Sequence, residues 1–221
     1  VYEKLGMEMS AFKQVKYFYP YSKDYTSYTY EKEQNIKERL EAKNALVFKK
    51  GNETLMIEPW GANSFRVRST MEPNFIDRDW ALTEKINHGN AKISVTEQGA
   101  SIINGKIEAK VNNNGIITFY KDGVRILHEY HRSYDPSATK ESCCTKVINR
   151  QWQGIIGGDY KLSVRFESND SEKIFGMGQY QTPYLDMKGC FLELAQRNSQ
   201  ISIPFAVSNL GYGFLWNNPA V

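Results

Sequence analysis

Several groups of side chains in this sequence have types and spacings that chemistry uses. The densest is ELAQRNSQISIPF, Glu193 to Phe205, in which Gln196, Arg197, Asn198, Ser199 and Gln200 follow one another. Amide and guanidinium donors gathered in one loop suit a ligand rich in hydroxyl groups, although a plain polar loop has the same composition. The loop reads as held between strands FLELA and SIPFAVS. Asp186, in YLDMKG, has the chemistry of a glycosidase nucleophile. Retaining glycosidases set two carboxylates about 5 Å apart, however, and no second one stands out as its partner. Asp186 is therefore expected to face solvent on an alternating strand, or to bond a nearby loop.

His128 and His131, in HEYH, stand at i, i+3, whereas a helical zinc site needs i, i+4. Inside a strand this spacing turns the two rings to opposite faces, so the pair reads as polar positions on a sheet edge and no metal is expected. An aldose epimerase would need a histidine and a carboxylate within hydrogen-bond reach of a sugar's ring oxygen and anomeric hydroxyl. His88, His128 and His131 are the candidate acids, and no context singles one out. GMGQY, from Gly176, lacks the further glycine and the helix of a dinucleotide loop, so no cofactor is expected.

The elements that must position these groups change period along the chain. Residues 1–44 pass from a Tyr-rich stretch into EKEQNIKERLEAK, strong helix formers with Ile36 and Leu40 at i, i+4, which predicts an N-terminal extension with one short helix. From residue 45 the period becomes two, in short runs bounded by Gly and Asn: ALVFKKGN, TLMIEPWG, SFRVRST, AKISVTEQG, GKIEAKVNNNG, IITFYKDGVRILHEY, YKLSVRFES and KIFGMGQY. Asp122-Gly123 between β-branched runs is a hairpin signal, because both positions tolerate the positive φ of a tight turn. With no helical crossovers between them, these strands predict an all-β antiparallel sandwich over residues 45–221, read as one domain.

Composition excludes some classes. The 28 Lys and Arg against 25 Asp and Glu leave a net charge of +3 spread along the chain, with no basic stripe for phosphates, so no nucleic acid is expected. Aromatic residues at 13% fit β-rich proteins and also sugar-binding surfaces. Cys143, Cys144 and Cys190 form neither an even disulfide framework nor a CxxC site, which favours a reducing compartment. No signal peptide and no apolar run long enough to span a bilayer is visible. The cytoplasm is expected, or the periplasm or exterior if an upstream signal has been removed, and no membrane partner is expected. In the cytoplasm the sequons at Asn52 and Asn169 are chance matches.

Taken in order, IEPWGANSFRVRST, WALTEK, GKIEAKVNNNGIITFY, IFGMGQY, LDMKGC and NSQISIPFAVSNLGYGFLWNNP resemble the N-terminal domain of glycoside hydrolase family 31. The strongest pieces are Gly-x-Gly-Gln at Gly176 to Gln179 and the run from Ile203 to Asn217. The resemblance implies a galactose-mutarotase-like β-sandwich followed by a (β/α)₈ barrel that carries catalysis. It implies a parent α-xylosidase or α-glucosidase that cleaves an α-glycosidic bond with retention, one barrel Asp attacking and a second serving as acid and then base. The family's nucleophile motif, Trp-x-Asp-Met-Asn-Glu, is absent, since YLDMKG lacks its Trp and its Asn-Glu. No catalytic residue is expected here, and the chain is expected to be interrupted at a domain boundary, its partners being its own C-terminal barrel and an α-linked oligosaccharide.

The family's sandwich sends a loop to the rim of the active site, and Gln196 to Gln200 match it. By that resemblance Gln196, Arg197 and Asn198 become the candidate substrate contacts. Several members carry an Arg-Asp pair there, whereas Asn198 follows Arg197 here, and the short LAQRNSQ form is closer to the α-xylosidase-like branch. The alternative is a free-standing carbohydrate-binding or aldose-epimerase-like sandwich. The two readings differ in that the first expects an exposed apolar face where the barrel docks and the second a self-contained surface. A homo-oligomer is left open.

Overall fold

Alternation of apolar and polar residues sets the strands. The computed structural model describes residues 16–18, 45–75, 82, 91–132 and 146–217. These fall into two compact units, the second made of Leu82 and the residues from Ser168 onward and the first of the remainder.

In the first unit, β1 (Lys16–Phe18), β2 (Leu46–Lys50), β3 (Glu53–Pro59) and β4 (Phe65–Thr70) form one sheet in that order. The expectation of a purely antiparallel sandwich needs correcting at one edge. β1 pairs parallel with β2, Lys16 opposite Leu46, while β2–β3 and β3–β4 are antiparallel. The connection from β1 to β2 is long enough for a parallel pairing, which a tight hairpin could not deliver. The expected helix at residues 31–43 lies outside the described residues.

A five-stranded meander follows: β5 (Lys92–Thr96), β6 (Gly99–Asn104), β7 (Ile107–Asn112), β8 (Ile117–Lys121) and β9 (Val124–His128), each antiparallel to the next. Asp122 and Gly123 sit at φ 49° and 80° between the paired residues Lys121 and Val124, the two-residue turn that Asp-Gly signalled. Leu46, Phe48, Leu55 and Ile57 from the first sheet and Ile93, Ile102, Val111 and Ile117 from the meander share one core. Val47 and Met56 point the opposite way and pack with Ala45 under Phe75, which is why ALVF and LMI read as continuous apolar runs. Trimming a side chain such as Leu55, fully buried, would cost about 2–5 kcal/mol in lost transfer energy and cavity.

β10 (Arg150–Gly154) and β11 (Tyr160–Val164) form a separate hairpin of this unit. Its base delivers Arg150 into a buried ionic cluster. Arg150 Nε donates to Glu53 Oε1 at 2.6 Å, Nη1 to both oxygens of Glu129 at 2.6 and 2.5 Å, and Nη2 to the Gly115 carbonyl at 2.7 Å. Ser69 Oγ completes Glu53, while Asn149 Nδ2 and the Ile117 amide complete Glu129. Burial pushes the Glu53 carboxyl up, but the guanidinium charge and the hydrogen bonds from Arg150 and Ser69 outweigh it and hold it below the usual carboxylate range.

The second unit holds β12 (Ile174–Gln179), β13 (Ile201–Ser208) and β14 (Tyr212–Leu215), antiparallel in that order. Glu172 pins the β13–β14 turn, accepting from Ser208 Oγ at 2.5 Å and Tyr212 Oη at 2.6 Å. Burial and the neighbouring Glu172 carboxylate push the Tyr212 phenol far above its ordinary range.

Candidate functional site

The candidate contacts Gln196, Arg197 and Asn198 lie just before β13, so the irregularity of that strand comes first. Gly176 of β12 faces Ala206, but Gly178 faces Ser202. A single residue, Met177, thus spans Ile203, Pro204 and Phe205 on the partner strand, and this bulge admits a proline that has no N–H to give the ladder. The crossing is close. A Cβ on Gly176 would lie 2.6 Å from the Phe205 carbonyl oxygen, and one on Gly178 would lie 2.0 Å from that of Ile201. With φ at 92° and 110°, both positions require glycine. Gly-x-Gly-Gln is therefore a device for strand approach, in keeping with its poor match to a nucleotide loop.

Ser202, 8% exposed, is the anchor of the polar loop. Gln196 Nε2 donates to the Ser202 carbonyl at 2.8 Å and the Ser202 amide donates back to Gln196 Oε1 at 3.2 Å. Ser202 Oγ donates to the Ala195 carbonyl at 2.9 Å and receives Tyr180 Oη at 3.0 Å. Beyond this anchor the chain turns over Asn198 and Ser199. Gln200 N donates to Arg197 O at 3.2 Å, and Ser199 has φ 67°, the positive φ that a type II turn places at its third residue. Arg197 and Asn198 are exposed at the tip, and Arg197 Nη2 is paired with Glu193 Oε2, one helical-type spacing earlier in sequence. The structure thus brings Arg197 and Asn198 to one exposed tip and puts Gln196 at its base.

The expected strand FLELA is absent. Residues 191–196 carry no ladder, and Glu193 instead accepts the Ala195 amide through its carbonyl at 2.9 Å. This mostly apolar five-residue run suits a strand, but no neighbour offers it a partner among the described residues. Asp186 likewise stands outside any strand and takes the loop-bonding alternative: its Oδ1 accepts the Ile174 amide at 3.0 Å and the Lys188 amide at 3.1 Å. Those two backbone donors hold its carboxyl below the usual range, the state of a structural acceptor.

His128 ends β9 and His131 lies beyond it. His128 Nδ1 shares a hydrogen bond with Thr118 Oγ1 at 2.7 Å. Its Nε2 is 3.8 Å from Glu167, beyond direct hydrogen-bond reach, and Glu167 is shared with Arg125 at 3.3 Å. His131 is held below the usual histidine range by burial and by the charges of Lys50 and Lys146. Glu129 between them belongs to the buried cluster. His88, Cys143 and Cys144 lie outside the described residues, and Cys190 is an exposed free thiol. Among the described residues no group of His, Cys, Asp and Glu is arranged to hold a metal ion, and no helix is long and apolar enough to cross a membrane.

Sequence reading missed the polarity of β13. Ser202 and Ser208 are buried, while Ile201, Ile203, Phe205 and Val207 are 41–54% exposed, joined by Leu215 of β14 at 43%. The buried row is small or polar and the apolar row faces out. A groove of about 330 Å³ opens on it, between Gly176 to Gln179 of β12 and Ile201, Ile203 and Phe205 of β13.

Residues 54–221 match the family described as glycosyl hydrolase 31 N-terminal galactose mutarotase-like domain. The chain is 42% identical over 195 residues to the uncharacterized family 31 glucosidase ORF2 of Pseudescherichia vulneris, covering 84% of this chain and 37% of that protein. It is 30% identical to Alpha-xylosidase A of Aspergillus niger, over 77% of this chain and 25% of that one. Among solved structures, an α-xylosidase of the same family from a soil metagenome, complexed with xylose, superposes with a TM-score of 0.75 at 45% identity, covering 80% of this chain and 27% of that chain. The chain thus spans between a quarter and two fifths of the length of these relatives.

Proposed function

The chain belongs to the glycosyl hydrolase 31 N-terminal galactose mutarotase-like domain family, and on that footing we propose that it is the non-catalytic N-terminal part of a retaining α-glycosidase, an α-xylosidase or α-glucosidase. Its task is to support a catalytic (β/α)₈ barrel and to lend the Gln196–Asn198 loop to the sugar-binding site. The observation that carries this reading is the outward apolar row of β13 and β14, with Ile201, Ile203, Phe205, Val207 and Leu215 all more than two fifths exposed. A contiguous apolar face on a sheet of three short strands is ground for a large partner surface. A carbohydrate would ask instead for polar donors beside an aromatic platform.

The loop supplies such donors. Arg197 offers a planar fork of N–H groups, and Asn198 an amide with both donor and acceptor, on an exposed turn closed by the Arg197–Gln200 bridge just before β13. Gln196 spends one N–H and one lone pair on Ser202 and keeps one of each for a hydroxyl. Where the family resemblance leads one to expect an adjacent aspartate, the carboxylate paired with Arg197 here is that of Glu193. The xylosidase lean rests on the relatives named as α-xylosidases and on the short loop. The bond-making carboxylates lie in residues other than these, Asp186 being engaged with two backbone amides.

The test compares hydrolysis of chromogenic α-xyloside and α-glucoside by this 221-residue chain and by the protein carrying the downstream reading frame. Turnover only by the longer protein is the expected result, with the faster substrate naming the branch. Turnover by the short chain, or sugar binding by it with no gain on extension, would sink the proposal in favour of a free-standing epimerase-like or carbohydrate-binding sandwich.

A further inference from the structure

Two Asn-Gly steps occur in the described residues, Asn104-Gly105 and Asn114-Gly115, and the fold treats their carboxamides in opposite ways. Glycine after asparagine is the step at which a backbone amide most readily reaches a side-chain carboxamide, because no Cβ stands in its path. At Asn104, 6% exposed, the carboxamide Nδ2 donates to the carbonyls of Gly61 at 2.7 Å and Ser64 at 2.9 Å. The glycines themselves do not separate the two sites: a Cβ on Gly105 would lie 2.2 Å from the Ala62 carbonyl oxygen and 2.3 Å from Asn63 Oδ1, and one on Gly115 would lie 2.6 Å from the Phe48 ring. Asn114 is exposed in the β7–β8 turn, and among the described residues no hydrogen bond restrains its carboxamide. We propose that Asn114 is a site of spontaneous deamidation and that Asn104, with the same local sequence, is not.

The step is closed in atoms. The Gly115 amide nitrogen bonds to Asn114 Cγ and loses its proton, the Cγ–Nδ2 bond breaks, and ammonia leaves. Water then opens the five-membered imide at either carbonyl, giving aspartate or its β-linked isomer. The brake on the first step is visible in the turn. Gly115 N donates to the Asn112 carbonyl at 2.8 Å, and Asn112 Oδ1 clamps the turn by accepting the amides of Asn114 at 2.9 Å and Ile116 at 3.0 Å. Deamidation waits on opening of that clamp. It also has a consequence inside the protein. The Gly115 carbonyl is the acceptor for Arg150 Nη2, so the extra methylene of a β-linkage enters the backbone one residue before a ligand of the buried cluster.

The intact protein is aged at mildly alkaline pH and body temperature, digested with trypsin, and the peptides 111–121 and 93–106 are followed by mass for conversion of amide to acid. Conversion at Asn114 at least about tenfold faster than at Asn104 is expected, given the two hydrogen bonds that must open at the latter. Asn112→Ala is expected to speed conversion at Asn114 several-fold without changing Asn104, and the aged fraction is expected to melt below the fresh one. Equal rates at the two sites, or an Asn114 peptide unchanged while the same peptide free in solution converts, would overturn the proposal. So would an Asn112→Ala protein, still folded by circular dichroism, in which the rate at Asn114 does not rise.

Discussion

Replacing Arg150 by leucine removes a cation shared by β3, the end of β9 and the β7–β8 turn while keeping most of the buried volume. The side chain is 5% exposed, and the carboxylates it serves are 16% and 3% exposed at Glu53 and Glu129. Removing one partner of a buried pair leaves the other as an uncompensated charge, at a cost of about 3–5 kcal/mol, and the orphaned Gly115 carbonyl adds to it. The sign of the pH dependence follows from Glu53. Its folded pKa lies below the ordinary 4.5, so in the wild type it contributes stability above that value and loses it as pH falls through the folded pKa. Without the guanidinium, burial remains and carries the folded pKa above the unfolded one. Glu53 then destabilises at neutral pH, and relief comes as falling pH protonates it. Urea unfolding at neutral pH and at stepwise lower pH should therefore show a deficit that is greatest near neutrality and narrows in acid. A loss below about 1 kcal/mol, the size of an exposed pair, or a deficit that does not change with pH, would refute the reasoning.

Gly178→Ala should destabilise by about 3 kcal/mol in thermal unfolding, from strain plus a backbone clash, whereas Gly189→Ala, at φ 78° with nothing within 4 Å, should cost about 1 kcal/mol. If the longer protein is the glycosidase proposed above, Asp186→Asn in it should leave kcat unchanged, and a carboxyl titration of Asp186 by NMR should fall below the ordinary range because two backbone amides favour its charged form. A hundredfold loss of kcat would instead make it a catalytic group. Arg197→Ala in the same protein should lower kcat/KM by about tenfold to a hundredfold, the worth of one charge-assisted hydrogen bond, with Asn198→Ala costing less. Unchanged kinetics for both would remove the loop from the sugar site.

The meander was legible because each of its strands alternates and its turns carry their own chemistry, Asp122-Gly123 above all. The order of motifs from Ile57 to Asn217 was legible as a family signature. The ionic cluster was not. Glu53, Glu129 and Arg150 sit in strands or at their ends like ordinary solvent-facing charges, and Glu53 and Arg150 are separated by 97 positions. Only topology brings them together. FLELA misled for the converse reason: a short apolar run can suit a strand, but a strand exists only where a neighbour takes its amides. The polar loop was found by composition, yet the division of labour within it was not, since Ser202 as anchor and Glu193 as partner of Arg197 carry no local mark.

After Arg197 the 221-residue chain contains no Asp, Glu, Lys, Arg or His. β13 and β14 are thus an uncharged, β-prone hairpin with an apolar outer row, the composition from which cross-β stacking grows. The charges that commonly guard such a segment are missing, and what stands in their place is Pro204. It interrupts the run Ile201 to Ser208 at its middle and sits in the irregular stretch facing Met177; since β12 and β14 flank β13 on both sides, the donor it withholds matters to a chain that has not yet folded. The same residue that sits at the register shift with β12 is thus placed where a proline breaks up an uncharged β-prone run in the unfolded chain.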